Sequence, residues 1–464
     1  MKKDFDLVII GAGPAGMSAA IQASKFDMKT LVLDDQLAVG GQVYRHIMQN
    51  NKKKKDLSFL DADYWSGHNL AHKFLCSSAQ LLPESRVWQI TKNKEVFFTQ
   101  KGKAHCVQAK SILIATGAME RPMPVKGWTL PGVMTVGGAQ ILLKTACSGA
   151  DGAVFAGSGP LFYLTIQQYL RAGFEIKAVI DTRPKKMSLV AYIWAFPSLL
   201  QLRLLLKGIR WHSEIRKKLF YFSDVKSVRI IGKDVAESLC FTDAEGQEQR
   251  ISANHIFIHQ GVIPNINLTM ATELKHRWCR RQLCWKPKID MFGESSIEGI
   301  FVVGDSMGIW GAEAAVFSGK IAIQRIAEKA KRSVAIKTLI SCLYRWRQLA
   351  IRPFLDYLFK PPEDWLVPED DTAIICRCES LSKTDISNAI KLGVSGPNQL
   401  KSFCRAGMGR CQGRLCGLTI QKMIANHHGQ SEEKIGYYRL RPPIRPLTVF
   451  ELATLSNDDS TAEK

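Results

Sequence analysis

Residues 5–33, FDLVIIGAGPAGMSAAIQASKFDMKTLVL, begin as an unbroken apolar run, turn through glycines, continue as an Ala-rich stretch and return to a second apolar run. Short apolar runs bounded by turn signals predict buried parallel strands, and the stretch between them predicts a helix. The chain therefore opens with a βαβ unit. Gly11, Gly13 and Gly16 stand in G-x-G-x-x-G spacing at its turn. The first permits the tight turn, the second lets a pyrophosphate approach the backbone, and the third lets helix and strand pack closely. Donors at the helix N-terminus would face the phosphates. Asp34 follows the second run, 18 residues beyond Gly16, where a carboxylate can accept hydrogen bonds from a ribose.

The same grammar returns in Asp151–Asp181: DGAVFAGSGP, a helical LFYLTIQQYLRAG, then FEIKAVID. Gly157 and Gly159 match the first two glycines, but Phe162 holds the third position, so this helix cannot approach its strand as closely. Asp181 is placed to meet a ribose and Arg183 a phosphate. NAD(P), another nucleotide such as ATP, and an empty structural domain all remain open here.

Two further strand-and-turn segments, SILIATG at Ser111–Gly117 and GIFVVGD at Gly299–Asp305, precede or follow that unit, the second leading into the small-residue helix WGAEAAVFSGKIA. They resemble the returning elements of two-dinucleotide flavoproteins of the glutathione-reductase fold. The resemblance assigns FAD to the first site, with Asp305 at the ribityl chain and the next helix N-terminus aimed at the isoalloxazine. It implies cofactor contacts at Gly11, Gly13, Ala15, Gly16, Asp34, Gly41, Gln42, Thr116, Gly117, Gly304, Asp305 and Ala312, and a second nucleotide at Gly157, Gly159 and Asp181. Disulfide reductase chemistry is disfavoured, because Gly40–Arg45 contains no Cys and Cys279 and Cys284, with four residues between them, lack C-x-x-C spacing. Both are expected to be structural thiols.

Leu189–Leu206, LVAYIWAFPSLLQLRLLL, is nearly long enough to span a bilayer and is flanked by Lys185, Lys186, Lys207 and Arg210. Arg203 and Gln201 oppose insertion, since a central Arg costs about 2.5–3.5 kcal/mol, and Pro197 breaks the helix midway. An interfacial membrane contact, a subunit interface or a buried hairpin fits better. The run Lys52–Lys55 reads as a solvated loop without the aromatic interleaving of a nucleic-acid platform.

Residues 331–360 alternate basic and apolar positions in helical fashion, and Pro361–Asp371, PPEDWLVPEDD, is an acidic Pro-rich linker. Five of the 12 cysteines then fall within Cys376–Cys416, where even scattering would place about one. Cys376 and Cys378 form C-x-C, and after 32 residues Cys411 and Cys416 form C-x4-C. Four thiolates in two clusters suit zinc or an iron–sulfur centre, with unliganded thiols as the remaining option. C-x-C with a distant pair among Gly407, Gly409, Gly413 and Gly417 resembles the bacterioferritin-associated-ferredoxin module, which implies a [2Fe–2S] cluster on Cys376, Cys378, Cys411 and Cys416. Cys404 stands outside both pairs and is expected to be a free thiol.

The 464 residues are 46% apolar and 23% charged, a globular balance for two to four domains. The net charge of +21 favours an acidic partner, anionic lipid or anionic ligand. Cysteines are too sparse for a disulfide scaffold and the N-terminus runs directly into the first strand, so a cytoplasmic location is expected, with association at the inner face of the plasma membrane left open. The segments GGQVYR, ATGAMERPMPVKGWTLPGV, VGGAQILLK, AGSGPL, HQGVIPN, GDSMGIWGAEAA, CRCE, RAGMGRCQGRLC and RPPIRP resemble the large FAD and iron–sulfur subunit of hydrogen cyanide synthase, opine oxidase and hydroxyproline or proline dehydrogenase complexes. The fold class implied is α/β, a glutathione-reductase-like two-dinucleotide-binding-domain flavoprotein with a C-terminal bacterioferritin-associated-ferredoxin-like [2Fe–2S] module. The expected divisions are 1–150 and 266–330 for the FAD domain, 151–265 for the inserted nucleotide domain, 331–371 for the linker, 372–428 for the cluster module and 429–464 for a tail. Such a subunit works beside an oxidase-type flavoprotein that oxidises the C–N bond, and passes electrons to a quinone or carrier protein. A free-standing NAD(P)H-dependent ferredoxin or quinone reductase is the rival, and a non-catalytic iron-handling or regulatory flavoprotein the second. No residue set stands out as general base or nucleophile.

Overall fold

The structure is a computed structural model and describes residues 3–185, 189–330 and 335–460. Lys186, one of the basic flanks noted above, lies outside them. The first sheet runs, in spatial order, Gln80–Leu82, Thr30–Leu33, Lys3–Ile10, Lys103–Ile114, Glu95–Gln100 and Arg86–Ile90, with Ile300–Val302 pairing in parallel to the end of Lys103–Ile114. Lys3–Ile10 is parallel to both neighbours, and its side chains serve two cores: Leu7 and Ile9 enter one, Val8 and Ile10 the other. Burial on both faces is why the sequence there is apolar without alternation.

The second sheet runs Phe220–Phe222, Ile176–Asp181, Ala153–Ser158, Ile256–Gln260 and Val133–Thr135. Val133–Thr135 and the following helix Val136–Ala146 belong to this unit, ahead of the expected division at residue 150, because Val133–Thr135 takes an edge position beside Ile256–Gln260. The chain crosses between the two units at Ala118–Glu120 and Val262–Pro264, which pair with each other. Phe162 is fully buried and packs edge-on against Phe155, so the third-glycine position is filled by an aromatic core rather than a close helix–strand contact.

The C-terminal module is a small hairpin, Ile374–Cys376 with Leu381–Ser382, followed by the helices Lys383–Lys391, Pro397–Cys404 and Gly417–His428. Tyr438, Leu440 and Ile444 from the tail share one core with Cys376, Cys416 and the first sheet. The tail is therefore packed into the molecule. It continues to a helix, Val449–Ser460, whose Thr454 Oγ1 accepts from the Ala104 amide at 2.8 Å.

Candidate functional site

The turn between Lys3–Ile10 and the helix Pro14–Ser24 separates structural glycines from one the fold does not need. Gly11 has φ +108°, and a Cβ there would lie 2.4 Å from the Ala115 carbonyl oxygen; at Gly16 it would lie 1.9 Å from the Gly11 carbonyl oxygen. Gly13 instead has φ −77°, open to any residue, and its Cβ would meet nothing closer than Gly41 Cα at 3.9 Å. The protein leaves the space in front of Gly13 open, where the motif would seat a pyrophosphate.

Asp34 is buried beside this turn, accepting from the Ala12 amide on one oxygen and from the Gln36 amide at 2.8 Å on the other. Burial raises its pKa, opposed by those amides. Gly40 and Gly41 fold the next loop onto the turn, Gly40 N donating to the Ala12 carbonyl at 2.9 Å. Gln42 follows, and its carbonyl accepts from Lys144 Nζ at 3.3 Å. From the opposite side, Thr116 Oγ1 donates to the Asn265 carbonyl and the Asn265 amide to the Gly117 carbonyl, closing the floor. Gly304 brings the late strand against Ala15, since a Cβ there would meet the Ala15 Cβ at 2.9 Å. Asp305 Oδ1 accepts from the Trp310 and Gly311 amides at 2.8 and 3.0 Å, ahead of the helix Ala312–Lys329, while its Oδ2 makes no hydrogen bond among the described residues. The Gly11 turn, the Thr116–Gly117 turn and Gly304 thus lie together at the carboxyl ends of the parallel strands Lys3–Ile10, Lys103–Ile114 and Ile300–Val302.

Lys144 was not legible as part of this site. It is 4% exposed, holds the Gln42 and Val43 carbonyls and Gln140 Oε1, and burial pushes its pKa down to about 7. A lysine inside an apolar helical stretch was its only sequence signal.

The second crevice is occupied by the chain itself. Asp181 is fully buried, and its Oδ2 accepts from the hydroxyls of Tyr163, at 2.6 Å, and Tyr221. Oδ1 accepts from the Arg183 amide at 2.8 Å. Burial, then the Asp181 charge, push both tyrosine pKa values up, so they stay donors. The Arg183 guanidinium meets His212 Nε2 at 3.1 Å and lies over the Phe359 ring. Asp181 and Arg183, expected to meet a ribose and a phosphate, are engaged internally. The Gln260 amide and the Thr182 hydroxyl are buried with no partner among the described residues. We expect NADH and NADPH to reduce the flavin slowly or not at all on anaerobic mixing. Rapid bleaching of the flavin band by either would favour the reductase reading.

In the C-terminal module the hairpin supplies Cys376 and Cys378, the loop before Gly417–His428 supplies Cys411, and Cys416 caps that helix. As free thiols, Cys376 lies beside Cys416 and Cys378 beside Cys411, and the Gly407, Glu379 and Cys378 amides face the Cys376 sulfur. The Cys376 thiol is pushed down to about 6, first by the Cys416 contact and further by those amides against its burial. Among the described residues no three His, Cys, Asp or Glu side chains converge on one metal position. Four thiols brought together in the module are the donor set that a [2Fe–2S] centre would take. The glycines of RAGMGRC are fitted to this neighbourhood: a Cβ at Gly409 would overlap Cys378 Cβ at 2.3 Å, and one at Gly407 would meet the Tyr438 ring at 2.5 Å. Tyr438 Oη is buried beside Cys416 and makes no well-formed bond of its own, which leaves a donor for a ligand sulfur. Cys404 lies outside the two pairs and bonds the Leu400 carbonyl at 3.5 Å. Cys279 and Cys284 face each other across a hairpin as free thiols, and burial pushes Cys284 up to about 12.

Residues 5–323 match the family described as pyridine nucleotide-disulphide oxidoreductase, and residues 374–426 match the BFD-like [2Fe-2S] binding domain. The chain is 41% identical to an opine oxidase subunit of Rhizobium meliloti over 98% of this chain and 88% of that protein. It belongs to that family of opine oxidase subunits. It is also 28% identical to hydrogen cyanide synthase subunit HcnB of Pseudomonas aeruginosa, over 97% of this chain and 99% of that one. Among solved structures it superimposes on L-proline dehydrogenase from P. horikoshii with a TM-score of 0.72 at 18% identity, covering 97% of this chain and 80% of that chain, a likeness of fold. A member of this family is a flavoprotein oxidoreductase whose cofactors are FAD and a [2Fe–2S] cluster. The α/β architecture with a C-terminal cluster module is as expected from the sequence.

Proposed function

We propose that this chain is the electron-transferring FAD and [2Fe–2S] component of a heteromeric dehydrogenase, whose oxidase-type flavoprotein partner oxidises the C–N bond of an amino acid, opine or amine. The observation that carries the reading is the direct seating of the cluster module on the flavin domain. Asn267 Nδ2 donates to the Gln412 carbonyl next to Cys411, and Trp285 Nε1 donates to Gln421 Oε1, both at 3.1 Å. Between them lies a small cleft lined by Met119, Ile263 and Cys284 from the flavin domain and by Arg414 and Tyr437 from the C-terminal part. When bound, the flavin supplies two-electron exchange and the [2Fe–2S] centre one-electron exchange.

In this reading the Gly11–Gly16 turn and Asp34 hold the dinucleotide, and Gly41, Gln42, Thr116, Gly117, Gly304, Asp305 and Ala312 border it. Cys376, Cys378, Cys411 and Cys416 ligate the cluster, with backbone amides at the Cys376 and Cys411 sulfurs that favour negative charge there. Arg445 from the tail pairs with Asp35 at 2.9 Å beside the flavin turn, tying the two sites together. The relatives from opine oxidase and hydrogen cyanide synthase are subunits by their names, which supports a hetero-oligomer here. The acceptor in this reading is a quinone or a carrier protein, and the location is the cytoplasmic face of the plasma membrane.

The test is dye-linked dehydrogenase activity over proline, hydroxyproline, glycine, sarcosine and opines, with this chain alone and with a co-expressed oxidase-like partner. We expect turnover only from the pair. Robust turnover by the lone chain would defeat the reading.

A further inference from the structure

Sixteen of the 29 large apolar side chains exposed on the described surface come from two stretches, ten from Val190–Ile209 and six from Ile336–Trp346. In the helix Ala335–Leu349, Ile336, Leu339, Ile340, Leu343 and Trp346 recur at helical spacing and are 48–76% exposed, so its apolar face is turned outward. The helices Leu189–Ser198 and Leu202–Lys218 add Ile193, Phe196, Leu206 and Ile209, Phe196 being 79% exposed. Gln201, between these two helices, donates to the Arg347 carbonyl at 3.1 Å and to Gln348 Oε1 at 3.0 Å, which joins the faces into one patch. Patches of this kind mark an interaction site.

The charges on these two stretches have one sign. Residues 189–213 and 335–355 contain no Asp or Glu. Arg203, Arg210, Lys337 and Arg347 are exposed among the apolar residues; Lys207 is turned onto Asp61 and Asp63, and Arg203 approaches Asp63 only at 3.9 Å. No helix among the described residues is long and apolar enough to cross a membrane. A second copy of the chain would bring the same basic patch against itself in a two-fold dimer, which like charges oppose. An outward apolar face with aromatic and basic residues and no acid is what lies flat in an anionic lipid interface.

We propose that these helix faces form a docking surface for an anionic membrane, on which the chain lies without spanning it. This deepens the functional reading above and rests on it only for the use of a lipid-soluble acceptor. The test is sedimentation of the full holo-chain with vesicles of phosphatidylglycerol and phosphatidylcholine, or of phosphatidylcholine alone, at two salt concentrations. We expect binding to the anionic vesicles at least about tenfold stronger than to the neutral ones, weakened by salt. Phe196→Glu and Leu343→Glu, each at an exposed position, should each lower anionic-vesicle binding about tenfold or more, with flavin content and helical circular dichroism unchanged. Equal binding to both vesicle types, or no effect of either substitution, overturns the proposal. So does loss, in these variants, of a self-dimer or of a protein complex while vesicle binding persists. Vesicle binding needs no turnover, so its failure is separate from failure of the dehydrogenase reading.

Discussion

Serine at any one of Cys376, Cys378, Cys411 or Cys416 is expected to strip the chain of iron and labile sulfide, while Cys404→Ser leaves both in place. The reason is that the hairpin and the loop leading into Gly417–His428 bring these four thiols, and not Cys404, together. A two-iron centre has no ligand to spare, because each iron takes two protein sulfurs and the two bridging sulfides. Outer-shell substitutions around metal sites already cost about 10–100-fold in affinity, so loss of a ligand should cost more than about a hundredfold. The measurement is iron and sulfide per chain, with electron paramagnetic resonance after reduction. Zinc without sulfide in the parent chain, or cluster loss in Cys404→Ser, would show the assignment to be wrong. Tyr438→Phe supplies a finer check. It should keep the iron and sulfide but lower the midpoint potential, because a hydroxyl donated to a ligand sulfur favours the more negative, reduced cluster.

The flavin site should divide its glycines into two classes. Gly13→Leu is expected to fold yet purify without FAD, since its backbone is ordinary and nothing in the protein obstructs a Cβ, which enters the pyrophosphate cradle instead. Losing two charge-assisted bonds to the phosphates costs about 3–4 kcal/mol, or about 10²–10³ in affinity. Gly16→Ala should instead give little folded protein. Its Cβ would stand 1.9 Å from the Gly11 carbonyl oxygen, an overlap of backbone that costs about 3 kcal/mol or more. Flavin absorbance per chain and thermal denaturation of each variant are the measurements. Full flavin in Gly13→Leu would remove the site from this turn.

What reads directly from the sequence is local. Gly11, Gly13, Gly16 and Asp34 lie within one βαβ unit, where turn chemistry and strand period constrain neighbours along the chain. The spacings C-x-C and C-x4-C were legible for the same reason, but not that Cys376 would face Cys416 and Cys378 face Cys411, which the fold of the whole module decides. The C-terminal glycines were legible as a pattern, but not their reason, which is the packing of Cys378 and Tyr438 against them.

Partnerships across the chain were not legible. Asp181 reads as a ribose ligand from its place after Ile176–Ile180, yet Tyr221, 40 residues on, takes its carboxylate because Phe220–Phe222 joins the sheet at that edge. Val133–Thr135 reads as part of the first unit and pairs in the second. Nor does any periodicity say that the Leu189–Leu206 stretch and the helix Ala335–Leu349 end side by side, with their apolar faces outward. Which segments become strands and turns follows from the sequence alone, through steric and hydrogen-bonding rules acting over a few residues. Only the tertiary structure decided which polar groups remain free for a ligand and which apolar faces remain uncovered, because both depend on the side chains that distant segments bring into the same space.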